Sequence, residues 1–251
     1  MFVVPAATYD RFMGRYSIQL GPQLADLAEI QAGQRALDVG CGTGALTGEL
    51  VRRLGAEQVA AVDPSEPFVA AVREKFPQVE VHQAGAEVLP FADAGFDAAL
   101  AQLVVHFMSD PLQGIREMRR VTRPGGVVAA CVWDYGGRRG PLSPFWEAAR
   151  RFDPELPDES ERAGTRQGHL QELFQAVGLS EIMETTFSAT VEHSSFDDWW
   201  TPFSHGVGPV GAYLNTLEPS RRAQIQEAAR SSLEPSPFVL TGYAWAVRGT
   251  V

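Results

Sequence analysis

The stretch Leu37-Asp38-Val39-Gly40-Cys41-Gly42-Thr43-Gly44 constrains this chain more than any other. An apolar run, RALDVG at 35–40, meets three alternating glycines, and the helical pattern ALTGELVRRLG follows at once. Glycines at such a junction permit sharp turns and bring bare backbone close to a ligand. The opening of the next helix offers N–H groups with no partner inside the helix. A strand, a tight turn and a helix are thereby fixed in order, and the turn is either a plain connection or a ligand cradle.

The flanking pattern extends this unit. QVAAVD (58–63) reads as a second buried strand, EPFVAAVREKF after Ser65 as a helix, and VEVHQA (79–84) as a third strand. FDAALAQ (96–102), the helix PLQGIREMRRV (111–121) with proline at its first position, and GVVAACVW (126–133) continue the alternation. Upstream, PQLADLAEI (22–30) reads as a helix. Apolar strands alternating with helices predict an α/β fold, a doubly wound parallel sheet covered on both faces. Beyond Trp133 the character changes. Residues 135–166 are rich in Gly, Pro and charge and read as a surface excursion, with the acidic stretch Asp153–Glu161 as a solvated face. A helix at 168–179, a strand at 182–192, the aromatic segment FDDWWTPF (196–203), a helix at 219–233 and a closing strand at 238–249 complete the chain. With 251 residues and no long linker, a single domain is expected.

Composition narrows the chemistry. The net charge of −10 argues against a nucleic-acid partner, and the Arg-Arg pairs at 52–53, 119–120, 138–139, 150–151 and 221–222 are scattered. No apolar run is long enough to span a membrane. Two cysteines make no disulfide framework and suit reduced thiols, so a cytoplasmic location is expected, and the first residues do not read as a signal peptide. His82, His169, His193 and His205 have no spacing that suggests a metal site.

Two ligands compete for the glycine turn. A dinucleotide fingerprint, Gly-x-Gly-x-x-Gly, is met with Ala45 in its sixth place. Against it, the Asp38 carboxylate precedes the turn, where a pyrophosphate would be repelled and an ammonium group welcomed. Asp63 closes the second strand about 20 residues on, where a carboxylate accepts from ribose hydroxyls. A nucleoside with a cationic, phosphate-free tail fits both, and S-adenosylmethionine is such a molecule.

Four segments, LDVGCGTGALT (37–47), AAVDPSE (60–66), AGAEVLPFADAGFDAALAQ (84–102) and VTRPGGVVAACVW (121–133), resemble class I S-adenosylmethionine-dependent methyltransferases. The likeness is to the small-molecule kind related to the ubiquinone/menaquinone-biosynthesis enzymes. It implies a seven-stranded, mostly parallel, Rossmann-like sheet with a helical lid, its last strand (238–248) antiparallel and inserted beside 182–192. It divides the domain into N-terminal cap helices (1–34), a cofactor-binding core (35–134) and the remaining strands (135–251), with lid insertions at about 135–166 and 194–235.

The resemblance also implies roles. Gly40, Cys41, Gly42 and Gly44 would shape the loop around the methionyl part, with Asp38 acting through water or backbone on the amino group. Asp63 would take the ribose, and Pro64, Ser65, Ala86 and Glu87 would border the adenine. Gln102 would face the methionyl portion. The family commonly has Asp where this chain has Gly85, so adenine recognition would fall to Glu87 or to backbone. The segment TYDRFMGRYS (8–17) resembles one that closes over the cofactor, with Tyr9, Arg15 and Ser17 as candidates and Arg15 suited to a carboxylate. His106 is a candidate general base, or else a packed histidine. Trp199, Trp200 and Phe203 line the acceptor pocket or simply fill the core. The implied reaction moves a methyl group from S-adenosylmethionine to O or N, less readily C, of a small-molecule acceptor and leaves S-adenosylhomocysteine. A non-catalytic binding protein on the same fold and an NAD-dependent oxidoreductase are the alternatives.

Overall fold

A computed structural model describes residues 13–156, 158–204, 206 and 208–251. Tyr9, His205 and the first half of the 8–17 segment therefore lie outside the described residues.

The sheet has seven strands in the order β3-β2-β1-β4-β5-β7-β6. The strands are β1 (Ala36–Val39), β2 (Val59–Asp63), β3 (Glu80–Gln83), β4 (Phe96–Gln102), β5 (Thr122–Trp133), β6 (Ser180–His193) and β7 (Phe238–Thr250). β1 to β5 pair in parallel, and β7 runs antiparallel between β5 and β6. This is the sheet that the resemblance implied, including the inserted last strand.

Alternation within the strands divides the core in two. Ala36, Ala61, Leu100 and Cys131 face one apolar cluster, while Leu37, Val62, Ala101 and Val132 face the other. α1 (Arg15–Leu27), α2 (Ala45–Leu54) and α3 (Glu66–Lys75) cover the first face, and α4 (Pro111–Val121) and α6 (His169–Ala176) the second. α5 (Ser143–Arg150), α7 (Phe196–Ser204), α8 (Gly208–Thr216) and α9 (Pro219–Ser232) form a layer contiguous with the first cluster. Among the described residues, no helix is long and apolar enough to cross a membrane.

α1 departs from the sequence reading. A helix at 22–30 was expected, with Pro22 near its start, yet the helix runs from Arg15 and holds Pro22 inside. Tyr16, Leu20 and Leu24 form an i, i+4, i+8 stripe with no exposed surface. Burying three large side chains, about 1.5–3 kcal/mol each, outweighs the roughly 3 kcal/mol cost of an interior proline. α1 is also tied to the outer strand. The Gln19 carboxamide donates to the Thr190 carbonyl and accepts from the Thr190 N–H, at 2.9 and 3.0 Å. Gln23 donates to the Ser188 carbonyl at 2.9 Å. These amides occupy backbone groups that an edge strand otherwise leaves open.

The excursion at 135–166 is also more internal than its composition suggests. Asp158 pairs with Arg150, and Glu159 is buried at 2% exposure, so the acidic stretch is not simply a solvated face.

Candidate active site

The strand order reverses between β1 and β4, and a crevice opens beyond the carboxyl ends of such strands. The glycine turn sits there. Gly40, Gly42 and Gly44 have φ of 74°, 53° and 87°, a region that side chains with a Cβ rarely adopt. At Gly40 the space is also filled, since a Cβ would stand 2.4 Å from Val104 Cγ2. The Gly40 and Cys41 N–H groups both donate to the Val62 carbonyl, at 2.8 and 2.9 Å, hooking the turn onto β2.

Asp63, at the end of β2, is the second fixed point. Its Oδ2 accepts from the Gly42 N–H at 2.9 Å and its Oδ1 from the Ser65 N–H at 2.8 Å. Burial raises its pKa and these two bonds oppose the rise. A cavity of about 480 Å³ opens beside it. Gly40, Gly42, Asp63, Pro64, Ser65, Ala86, Glu87 and Gln102 all line that cavity, so eight of the expected residues meet at one place.

Others stand back from its wall. Asp38 is 1% exposed; Thr47 Oγ1 donates to its Oδ2 at 2.6 Å, and its Oδ1 is buried without a partner. Burial pushes its pKa up to about 7. The carboxylate expected to guard the loop is therefore an internal group behind the turn. Gln102 lies beside it, because Asp38 pairs in register with Leu100 and Gln102 shares Leu100's face of β4. Gln102 Nε2 donates to the Ser17 carbonyl at 2.9 Å, while its Oε1 is buried and unpartnered. Ser17 thus reaches the site only through its backbone. Gly44 packs against Phe76, and the buried Cys41 thiol has its pKa raised by burial and by the nearby Asp38 and Asp63.

Four further expectations meet the structure as follows. Arg15 is not at the cavity: it pairs with Asp198 at 3.0 Å and donates to the Glu192 carbonyl, which fastens α1 to β6 and α7. Trp199, Trp200 and Phe203 do not line it either. They pack with Phe145 and Phe196 at ring separations of 5.1 to 6.2 Å and are core, because their apolar area is worth more buried there than facing a wet pocket. His106 lies in the turn Val105–Phe107, its ring centroid 3.9 Å from that of Phe107. Desolvation, with the Arg162 charge adding to it, lowers its pKa to about 3, a poor match for a general base at neutral pH. Glu87 uses its Oε1 to accept from the Ser109 and Asp110 N–H groups, at 2.7 and 3.3 Å, so that oxygen is engaged in shaping the loop before α4.

Sequence reasoning missed Phe107, Met108 and Arg162, which also line the cavity. The first two directly follow the expected Gln102 segment and could have been found there. Arg162 comes from the 135–166 excursion, where no local pattern marks it.

The residues fit S-adenosylmethionine. Asp38 Oδ1 and Gln102 Oε1 are two buried acceptors without donors on one face beside the turn, and an amino group supplies donors. Asp63 at the strand end suits ribose hydroxyls, and the turn at Gly40 has no room for a side chain.

Comparison with known proteins agrees. Residues 37–130 match a family described as a methyltransferase domain. A malonyl-[acyl-carrier protein] O-methyltransferase of Erwinia pyrifoliae is 35% identical over 139 residues, 51% of this chain and 52% of that protein. A demethylmenaquinone methyltransferase of Chlorobaculum parvum is 39% identical over 92 residues, 37% of this chain and 38% of that protein. The chain spans about half or less of the length of these curated relatives. The crystal structure of YcgJ from Bacillus subtilis superposes with a TM-score of 0.59 at 20% identity, covering 93% of this chain and 97% of that one, a likeness of fold.

Proposed function

We propose, on the premise that residues 37–130 form a domain of the methyltransferase family, that this chain transfers a methyl group from S-adenosylmethionine to an oxygen or nitrogen atom of a small-molecule acceptor. The carrying observation is the pair of orphaned acceptors, Asp38 Oδ1 and Gln102 Oε1, behind a turn whose Gly40 has no room for a side chain. When bound, S-adenosylmethionine supplies an electrophilic methyl on a sulfonium, and its carbon–sulfur electron pair returns to sulfur as the new bond forms.

The chain's own tasks are to bind, orient and exclude water. Asp63 would hold the ribose while its carboxylate keeps the Gly42 and Ser65 N–H groups in place. Gln102 and Asp38 would fix the amino end, and Ala86 with Pro64 and Ser65 would border the adenine. The segments 135–166 and 194–235 would cover the acceptor. With its pKa near 3, His106 is a weak proton acceptor. An acceptor atom that reacts without losing a proton first, such as a carboxylate oxygen or a neutral amine, asks nothing of His106. An O-methyltransferase of malonyl-[acyl-carrier protein] among the relatives is in keeping with this class.

The test is incubation with methyl-labelled S-adenosylmethionine and matched acids, amines and phenols. Label on an acid or amine supports the reading. S-adenosylhomocysteine binding with no label transfer to any acceptor would favour the non-catalytic alternative.

A further inference from the structure

The chain from 135 to 166 folds back over the ends of β4 and β5 and gathers polar groups that the cofactor site does not use. Arg162 lines the cavity next to Phe107, its guanidinium carbon 5.3 Å from the ring centroid. It is the one cation among the described residues on that wall, and it makes no ion pair among the described residues. Three residues earlier stands Glu159, 2% exposed, its carboxyl group beside the Trp146 indole N–H and within reach of the Arg162 charge. His106 Nδ1 is buried and unpartnered. Tyr135 links the set: it shares a small pocket with Trp146 and Glu159, and its ring centroid lies 6.1 Å from that of His106.

Buried polar atoms without partners are few in folded proteins, and each one calls for an explanation. His106 Nδ1 is one of them, on the residue directly before the cavity-lining Phe107. The nucleoside would cross β1, β2 and β4. This flank, over β4 and β5, is the side from which a second reactant can approach. Burial raises the Glu159 pKa to about 7, so in mildly acidic solution Glu159 is mostly uncharged and leaves the Arg162 charge largely uncompensated.

We propose that Arg162, set beside Phe107 on the cavity wall, forms the acceptor subsite, and that the acceptor is an organic acid whose carboxylate seats against the Arg162 guanidinium. This rests on the methyl-transfer reading above. A planar guanidinium backed by an aromatic ring suits a carboxylate in a bidentate arrangement. The amino-acid tail of the cofactor carries a carboxylate too, so the experiment separates the two sources.

The protein saturated with S-adenosylhomocysteine is titrated with malonate, benzoate and 4-hydroxybenzoate, and with their carboxamides, while thermal melting is followed. Methyl-label transfer to the same compounds is measured in parallel. At least one acid is expected to raise the melting temperature and its carboxamide to do nothing. Arg162→Gln should abolish that shift and raise KM for a labelled acid about tenfold or more, with kcat changed far less; Arg162→Lys should restore part of the loss. S-adenosylhomocysteine affinity should stay within about twofold of wild type, a change of less than half a kcal/mol.

Carboxamides acting as well as acids would overturn the proposal, as would a wild type that responds to no acid. If Arg162→Gln weakens S-adenosylhomocysteine but not 5′-methylthioadenosine, which lacks the tail, then Arg162 holds the cofactor's carboxylate and the acceptor assignment falls. If the wild type binds no S-adenosylhomocysteine at all, the methyl-transfer reading fails first and takes this one with it.

Discussion

The glycine turn at 40–44 and the helical layer of α5 with α7 to α9 are built by different means. The turn is held by backbone: N–H groups of Gly40 and Cys41 on the Val62 carbonyl, and of Gly42 on Asp63. The layer is held by side chains: Phe145 packs against Trp200 and Phe203 from a distant part of the chain, contacts that no short sequence segment encodes. A backbone site leaves its signature locally, as glycines at fixed offsets. A packed layer leaves only composition, and the residues it sends to a pocket are visible only once the chain has folded back. The same chain can thus announce its cofactor and conceal its acceptor.

Three substitutions sharpen this contrast, taken from the largest expected effect downward. Trp199→Ala removes a fully buried indole and should cost about 3–5 kcal/mol of unfolding free energy, measured by urea titration, with S-adenosylhomocysteine affinity unchanged. If affinity fell while stability held, the layer would be part of the site after all. Gly40→Ala places a Cβ 2.4 Å from Val104 Cγ2 in a left-handed backbone and should cost about 2–4 kcal/mol together with most of the binding. Gly42→Ala meets no atom within 4 Å and carries only the backbone strain, about 1–2 kcal/mol. Equal effects at the two glycines would mean that the Val104 contact does not matter.

A fourth prediction concerns pH. The folded Glu159 carboxyl has its pKa raised from 4.5 to about 7, so the folded state holds its proton where the unfolded chain has lost it. Stability is relatively greater below about pH 4.5 and falls as pH rises towards 7. Asp38 acts in the same direction, and His106, with its depressed pKa, in the opposite one, since the unfolded chain takes up its proton below about 6.5. The difference between wild type and Glu159→Gln isolates the first of these. The wild type should lose up to about 3 kcal/mol relative to the variant between pH 4.5 and 7.5. Parallel stability curves would show that Glu159 ionises freely.

Much of the sheet was legible because buried parallel strands are near-continuous apolar runs, as in LDV, VAAV and AALA, with turn residues at their ends. Asp63, Gln102 and the glycines were legible for the same reason: strand ends in this topology converge on one crevice. α1 was misplaced because Pro22 resembles a helix start, and only the buried Tyr16–Leu20–Leu24 stripe overrules it. His106 looked like a base by position, but its burial, which sets its proton affinity, depends on Tyr135 and Arg162 from distant parts of the chain. Arg15 had the right charge for a carboxylate and found one in Asp198, far along the sequence.

The most direct test of the account is calorimetric titration of wild type and Asp63→Ala with S-adenosylhomocysteine, with NAD as the control. The account predicts one-to-one binding to wild type, at least tenfold weaker binding to the variant, from the loss of a charged hydrogen-bond acceptor worth about 1.5–3 kcal/mol, and no heat from NAD. Equal affinity in the two proteins, or binding of NAD in place of the thioether nucleoside, would contradict it.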